Sequence, residues 1–307
     1  MLRMPFYFTL SGLFFKDYGG VLPTIIKKCN KILIPFFFFY TISFFVIIGI
    51  QITAHVDVNA SYTAFIYPKE ALSSINYALW FLLALFWANM LFMIMHRISN
   101  NLVFLGGVSF SLSILSLLLF SGDTKLPLYF DSALAALPYF FMGYCMRNTG
   151  ILIPNRYDRY SWLLILSLIA IVTVAFIIGN RPYISIGGIK INGNPAMFGI
   201  ASVTIVIAMM LLCKKIGSLP FIKYVGRYSL IILGLHVTII NIANLGLRLI
   251  GMRDDSTLRC IIIFTIVTGI CVIMIKPMTR WFPKYTAQQD LITWRPSYAR
   301  KSSCVAD

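Results

Sequence analysis

Residues 32–52 read ILIPFFFFYTISFFVIIGIQI, twenty-one consecutive positions without a charged side chain. A helix of about 20 mostly apolar residues is long enough to cross the hydrocarbon core of a bilayer. The only proline, Pro35, falls in the first turn of such a helix, where a missing N–H group is tolerated. The segment therefore predicts a transmembrane α-helix.

Eight more apolar segments lie on either side of this one. The chain of 307 residues is 59% hydrophobic and 12% charged, whereas a soluble domain contains about 25% charged residues. We predict an all-α, polytopic integral membrane helical bundle of about nine transmembrane helices. It would form a single membrane domain over residues 1–275, followed by a basic cytoplasmic tail over residues 276–307. The predicted spans are residues 4–15, 32–52, 76–95, 102–120, 126–146, 160–178, 195–213, 228–250 and 258–275.

The net charge of +16 is unevenly distributed between the loops. Of the 26 Lys and Arg residues, 18 lie in alternate loops and the tail and seven in the opposite set. Because basic loops stay on the cytoplasmic side, this excess predicts a cytoplasmic C-terminus in an inner or plasma membrane. It also explains the charge without a nucleic-acid partner. Met1 would then lie outside, and no signal peptide is recognisable, so the topology predicts one more span before Met1.

Two patterns outside the spans carry information. The alternation of Tyr183-Ile-Ser-Ile and Ile189-Lys-Ile-Asn around Gly187-Gly188 predicts a small β-hairpin. Asn194 and Pro195 are typical of a helix start. The six cysteines show neither a C-x-x-C pair nor metal-ligand spacing, so no disulfide framework and no metal site are predicted.

Few polar side chains fall inside the spans, and such residues are candidates for function because they are costly in lipid. His236 either acts as a general base or bonds a neighbouring helix. Asn241 and Asn244 either bind a sugar or join helices, and we favour the second. Arg3 is either an interfacial anchor or a clamp for an anionic substrate.

Four further residues are interpreted as structural. We expect Asp131 to reach the membrane interface, Asn89 to serve packing, and Trp80 and Trp87 to be belt or packing residues. These observations alone do not separate an enzyme from a transporter.

Five short motifs occur in order along the chain, and together they resemble the membrane acyltransferase family 3. That family includes fucose 4-O-acetylase-like and surface-polysaccharide O-acetyltransferases. The motifs are Arg3-Met-Pro-Phe-Tyr-Phe-Thr-Leu-Ser-Gly-Leu-Phe-Phe-Lys16, Lys31-Ile-Leu-Ile-Pro35, Leu79-Trp-Phe-Leu-Leu-Ala-Leu-Phe86, Phe140-Phe-Met-Gly143-Tyr and Gly226-Arg-Tyr-Ser229-Leu-Ile-Ile-Leu-Gly-Leu-His236.

The resemblance implies a ten-span enzyme of the bacterial inner membrane. It would transfer an acyl group, usually acetyl, from acyl-CoA to a sugar hydroxyl of a surface glycan or glycolipid precursor. Acetyl-CoA would be the donor substrate, and no bound cofactor is expected. A histidine would remove the hydroxyl proton, and basic side chains would neutralise the CoA phosphates. The loop lysines either supply those contacts or only orient the chain, and we favour the second. They are Lys27, Lys28, Lys31, Lys214, Lys215 and Lys223.

The resemblance also leaves the catalytic residue unassigned. In the family a basic residue and a histidine lie on the first span, and this chain begins at what is normally the second. Arg3 matches the family's arginine before Met-Pro and would hold the substrate or CoA anion. His236 matches a family position and is kept only as an alternative catalytic residue. The substrate-binding candidates are thus Arg3, His236, Asn241 and Asn244. The competing hypotheses are a glycolipid or solute transporter, a catalytically dead truncated acyltransferase, and an assembly subunit.

Overall fold

The computed structural model describes residues 3–54, 75–120, 126–149, 161–179, 183–186, 190–217, 219–251 and 257–293. Within these ranges most of the chain is helical, and a π-helical turn, Cys29–Leu33, joins the second helix to the third. The α-helices are α1 (Arg3–Leu13), α2 (Val21–Lys28), α3 (Ile34–Thr53), α4 (Trp80–Ile98), α5 (Leu102–Leu119), α6 (Phe130–Asn148), α7 (Ser161–Ile178), α8 (Pro195–Ile216), α9 (Pro220–Arg227), α10 (Ser229–Leu249) and α11 (Thr257–Trp281).

The prediction of an all-α membrane bundle is confirmed, since a helix occupies each of the nine predicted spans. Six helical segments among the described residues are long and apolar enough to cross a membrane, whereas α1 has only 11 residues. The six are Val21–Thr53, Tyr77–Ile98, Leu102–Leu119, Pro195–Ile216, Ser229–Leu249 and Thr257–Trp281.

Two predicted boundaries were wrong. The second helical segment begins at Val21 instead of residue 32, because three lysines that indicated a loop lie on helical turns. The last helix continues past residue 275 to Trp281, so the first residues of the predicted tail are helical. Long basic side chains tolerate such positions because their charged ends reach water.

The predicted hairpin is confirmed. Strand β1 (Tyr183–Ser185) pairs antiparallel with β2 (Lys190–Asn192), with Ile184 opposite Ile191. Asn194 caps α8 by accepting hydrogen bonds from the backbone N–H groups of Ala196 and Met197.

Helix α6 lies at the centre of the first group of helices, where it packs against α1, α4 and α5. Glycines bring α1 and α6 into backbone contact. A Cβ on Gly12 would overlap the carbonyl oxygen of Phe140, and a Cβ on Gly143 would overlap that of Thr9. Small residues allow this close approach of helices in membranes. Two of the five sequence motifs therefore meet in one helix–helix contact.

Helix α10 packs between α3 and α11 and forms the second group. Gly234 of α10 lies against the ring of Phe39 on α3, where a Cβ would overlap the ring atoms. The same helix carries His236, so this packing fixes the position of the first candidate residue.

Several basic loops meet at one end of the bundle. Arg97 in the last turn of α4 pairs with Asp17 after α1, Arg147 of α6 donates to the carbonyl oxygen of Phe15, and Lys27 of α2 pairs with Asp290 after α11. We call this the basic end. All of these segments belong to the set that the charge count groups on one side of the membrane.

Candidate active site

His236 is half-buried on α10, and its ring is oriented by its own helix. Its Nδ1 lies 3.0 Å from the carbonyl oxygen of Ile232 and 2.9 Å from that of Leu233. Because carbonyl oxygens only accept hydrogen bonds, Nδ1 is the donor in both contacts, and this geometry selects the tautomer whose lone pair is on Nε2. No hydrogen bond joins Nε2 to a described residue, so the ring can accept a proton from a hydroxyl group.

The asparagines beyond His236 have different surroundings. The side-chain oxygen of Asn244 accepts a hydrogen bond from Arg259 Nη2 at 3.1 Å, and Arg259 on α11 is only 3% exposed. Asn244 thus joins α10 to α11, in agreement with the interhelical interpretation. Asn241 is half-buried on the same helix, and no described hydrogen bond brings His236, Asn241 and Asn244 together.

Arg3 begins α1, and its side chain lies outside the described atoms. Its predicted contact with an anionic substrate therefore stays a prediction.

A polar network that sequence analysis missed joins α3, α10 and the start of α4. Ser43 Oγ and Thr238 Oγ1 lie 2.7 Å apart, and the Asn76 amide donates to Ser43 Oγ and to the Gly234 carbonyl, both at 3.0 Å. The three side chains are between 0 and 4% exposed. Asn76 Oδ1 has no hydrogen-bond partner among the described residues. The sequence did not predict this network because Ser and Thr within apolar runs do not indicate a polar contact. Asn76 was used only as the first residue of a predicted span.

The network and His236 lie on different sides of α10. Thr238 follows His236 by two residues, and consecutive residues of a helix are rotated by about 100°. The network therefore sets the rotation of α10 about its axis and turns the imidazole away from α3.

Asn89 was correctly interpreted as structural. It is fully buried, and its amide donates to the Leu85 carbonyl at 2.7 Å and to Ser11 Oγ at 3.3 Å. Ser11 belongs to the Ser-Gly pair of the first motif, so Asn89 ties that motif to α4.

The expectation for Asp131 was wrong. This residue is 1% exposed and lies within the bundle, because α6 is surrounded by other helices from its first turn. The tryptophans serve packing, as one of the two interpretations stated. Trp80 contacts Tyr129 at a ring distance of 5.8 Å, and Trp87 contacts Phe130 at 5.4 Å.

At the basic end, Arg97 and Asp17 form an ion pair in which one guanidinium nitrogen contacts both carboxylate oxygens. Arg97 Nη2 lies 2.8 Å from Asp17 Oδ1 and 3.0 Å from Oδ2. The Gly19 N–H and the Thr24 hydroxyl also donate to Asp17. Burial by itself raises the pKa of the Asp17 carboxyl, but the bond and charge of Arg97 and the other two donors outweigh it, so the pKa is lowered.

A second polar pair lies close by. His96 Nε2 and the Tyr144 hydroxyl are 3.0 Å apart, and both rings contact Phe15 edge-on. Arg147 donates to the Phe15 carbonyl. These contacts lock the ends of α1, α4 and α6 together.

The lysines proposed for CoA phosphates occupy several environments. Lys27 and Lys31 reach Asp290, Lys28 is half-buried beside them, and Lys215 lies over the Trp162 ring at 5.6 Å. Lys223 is exposed on α9. Over the described residues, no group of three His, Cys, Asp or Glu side chains is placed to hold a metal ion.

The family comparison gives a match along most of the chain. The model of acyltransferase family 3, described as an acyltransferase domain, matches residues 1–276. No curated protein and no solved structure matches the chain significantly. The family match covers all five motifs, including those that place Gly12 against Phe140 and Gly143 against Thr9.

Proposed function

The chain belongs to acyltransferase family 3, and from this premise we propose that it is a membrane O-acyltransferase that moves an acyl group, acetyl in the simplest case, from acyl-CoA to a sugar hydroxyl. The acceptor is a surface glycan or its glycolipid precursor. The family match over residues 1–276 carries the proposal.

The positions of the basic residues support an acyl-CoA donor. The phosphates of CoA require cations, and Lys and Arg side chains collect at the basic end. The charge count favours the cytoplasmic side for this end, where acyl-CoA is found. We therefore place the protein in the bacterial inner membrane with a cytoplasmic C-terminus.

His236 supports the acceptor half of the proposal. Its Nδ1–H is held by backbone carbonyls, which leaves Nε2 as the basic atom. In the reaction the sugar oxygen attacks the thioester carbonyl, its proton passes to a base, and the CoA thiolate leaves. We assign His236 to contact with the acceptor hydroxyl, where its lone pair can accept that proton.

The test is acetyl transfer by the purified full chain in lipid nanodiscs. Radiolabelled acetyl-CoA and membrane glycolipids of the source cell are the substrates, and labelled glycolipid is measured. We expect transfer above that of protein-free nanodiscs. Absence of transfer, together with glycolipid accumulating inside a deletion strain that retains its glycan acetyl groups, would instead indicate an exporter.

Two kinetic outcomes separate the roles of His236. If the ring is the base, His236→Gln lowers kcat by about 10²- to 10⁴-fold. If it only contacts the acceptor, His236→Gln raises KM and leaves kcat nearly unchanged. Asn192→Ala, an exposed change on the hairpin, is the control. Unchanged kinetics of His236→Gln would remove this residue from the site.

A further inference from the structure

The segment after α11 turns back across the basic end and lies against α2, the π-turn and α3. We call residues 282–293 the strap. We propose that Lys27 and Lys31 form a binding site for a phosphate group, and that Asp290 of the strap occupies this site until a phosphate-bearing ligand replaces it.

The strap is attached by contacts that do not involve charge. Asn30 is 1% exposed, and its side-chain oxygen accepts hydrogen bonds from the backbone N–H groups of Leu291 at 2.8 Å and Ile292 at 2.9 Å. Its amide donates to the Ile292 carbonyl at 2.8 Å. Tyr285 stacks on Phe38 at a ring distance of 5.3 Å. One buried amide thus binds the strap backbone as a neighbouring strand would, and this attachment persists when the charges change.

The charged contact is of a different kind because water reaches it. Lys27 Nζ bonds Asp290 Oδ2, and Lys31 Nζ lies 3.9 Å from Asp290 Oδ1, beyond hydrogen-bond distance. The lysine side chains are 41% and 43% exposed, and that of Asp290 is 25% exposed. Exposed ion pairs of this kind contribute little to stability because water screens them. The carboxylate can therefore be displaced while the strap stays attached.

The geometry of the two lysines suits a phosphate better than a carboxylate. Lys27 and Lys31 are four residues apart, so they lie on one face of the helical segment and repel each other. Lys31 also donates to the Ala287 carbonyl. The Asp290 carboxylate therefore lies close to Lys27 and is shared only partly with Lys31. A phosphate carries more charge and has oxygens for both ammonium groups at once.

One source of this phosphate rests on the proposed function. Acyl-CoA carries phosphates on the side where we place the basic end. An anionic lipid headgroup offers the same chemistry from the bilayer. The site itself requires only a phosphate group.

The experiment measures binding to the full chain. Coenzyme A and inorganic pyrophosphate are titrated by calorimetry in detergent, and the melting midpoint is compared in nanodiscs with phosphatidylglycerol or phosphatidylcholine. Asp290→Asn should tighten the binding of the matching probe about 2- to 5-fold, the fold-change expected for loss of an exposed competing ion pair. In a Lys27→Gln/Lys31→Gln background the gain should vanish.

Asp17→Asn is the matched control, since it removes a carboxylate paired with Arg97 at the same end. Its effect should not depend on Lys27 and Lys31. If Asp290→Asn is not recovered in folded form, Asp290→Ser replaces it. A gain with pyrophosphate or phosphatidylglycerol but no binding of coenzyme A supports the site and contradicts the proposed donor. If removing Asp290 from the folded protein strengthens binding of none of the three probes, the proposal is overturned.

Discussion

The α1–α6 contact and the α3–α10 contact join their helices by different means. At the first, Gly12 and Gly143 let the backbones touch. At the second, Gly234 also permits close approach, but the Ser43, Thr238 and Asn76 side chains add a buried hydrogen-bond network.

The difference between the two helix contacts follows from the lipid that surrounds them. Lipid tails are as apolar as leucine, so burying apolar area does not drive helix association in a bilayer, and close packing or hydrogen bonding must do so. Backbone contact tolerates no added atom, whereas a hydrogen-bonded contact depends on the identity of a few polar groups. The motifs in α1 and α6 belong to the first kind of contact, and the helix that carries His236 belongs to the second.

The sharpest way to break the first contact is Gly143→Ala. The added methyl group would overlap the Thr9 carbonyl and crowd the Leu13 N–H group. Overpacking costs about 1 to 3 kcal/mol, and we expect the upper end because backbone atoms cannot rotate away. The melting midpoint in detergent and the monodisperse yield should both fall strongly.

Gly199→Ala on α8 is the matched control for this prediction. It is a helical glycine with no atom within 4 Å of the place that a Cβ would occupy, and alanine favours helix by up to about 1 kcal/mol. Its melting midpoint should be unchanged or raised. If the two variants melted alike, backbone contact would not hold α1 to α6.

Asn76→Ala tests the hydrogen-bonded contact and should have an intermediate effect. It removes two donated bonds, to Ser43 Oγ and the Gly234 carbonyl. Interhelical hydrogen bonds in membrane proteins are worth about 0.6 kcal/mol on average and about 1.7 at most, so we expect a loss of about 1 to 2 kcal/mol.

A double-mutant cycle tests whether the hydrogen-bond network causes the loss of stability in Asn76→Ala. Adding Ser43→Ala to Asn76→Ala should cost less than the sum of the single losses, because the two residues share a bond. Thermal unfolding of the four proteins measures this, and strict additivity would argue against the network.

Much of the fold follows from the sequence because the bilayer leaves few choices. A segment in lipid must form its backbone hydrogen bonds internally, as a helix does. The length of each apolar run was therefore enough to predict the helices, including the one over residues 32–52. The length of the apolar run could not predict the helix start at Val21. The helix extends beyond the apolar run through turns that carry lysines. The hairpin was predictable because the alternation of its strands and the Gly-Gly pair between them are local features of the sequence.

The candidate site was only partly predictable. Asn244 was favoured as a bridge between helices, but its partner Arg259 is 15 residues away on another helix. The pairing of Asp290 with Lys27 spans 263 residues and depends on how the strap folds back. Such contacts are set by packing between helices, which no local pattern records.

The smallest effect should come from the Asp17–Arg97 pair, which lies outside both contacts and joins the segment after α1 to the last turn of α4. The pKa of the Asp17 carboxyl is lowered from its ordinary value of 3.8 in the folded chain. Its charge therefore stabilises the fold above that ordinary value, and this contribution is lost as the pH falls through the lowered pKa. The pair is partly exposed, so Asp17→Asn should cost less than about 1 kcal/mol at neutral pH.

The measurement is the melting midpoint of wild type and Asp17→Asn as a function of pH. The wild type should melt higher above a pH of about 4, and the difference should shrink at lower pH because both side chains are then neutral. Arg97→Gln should reproduce the loss at neutral pH. A difference that persists undiminished in acid would show that Asp17 acts through its hydrogen bonds to Gly19 and Thr24 and not through its charge.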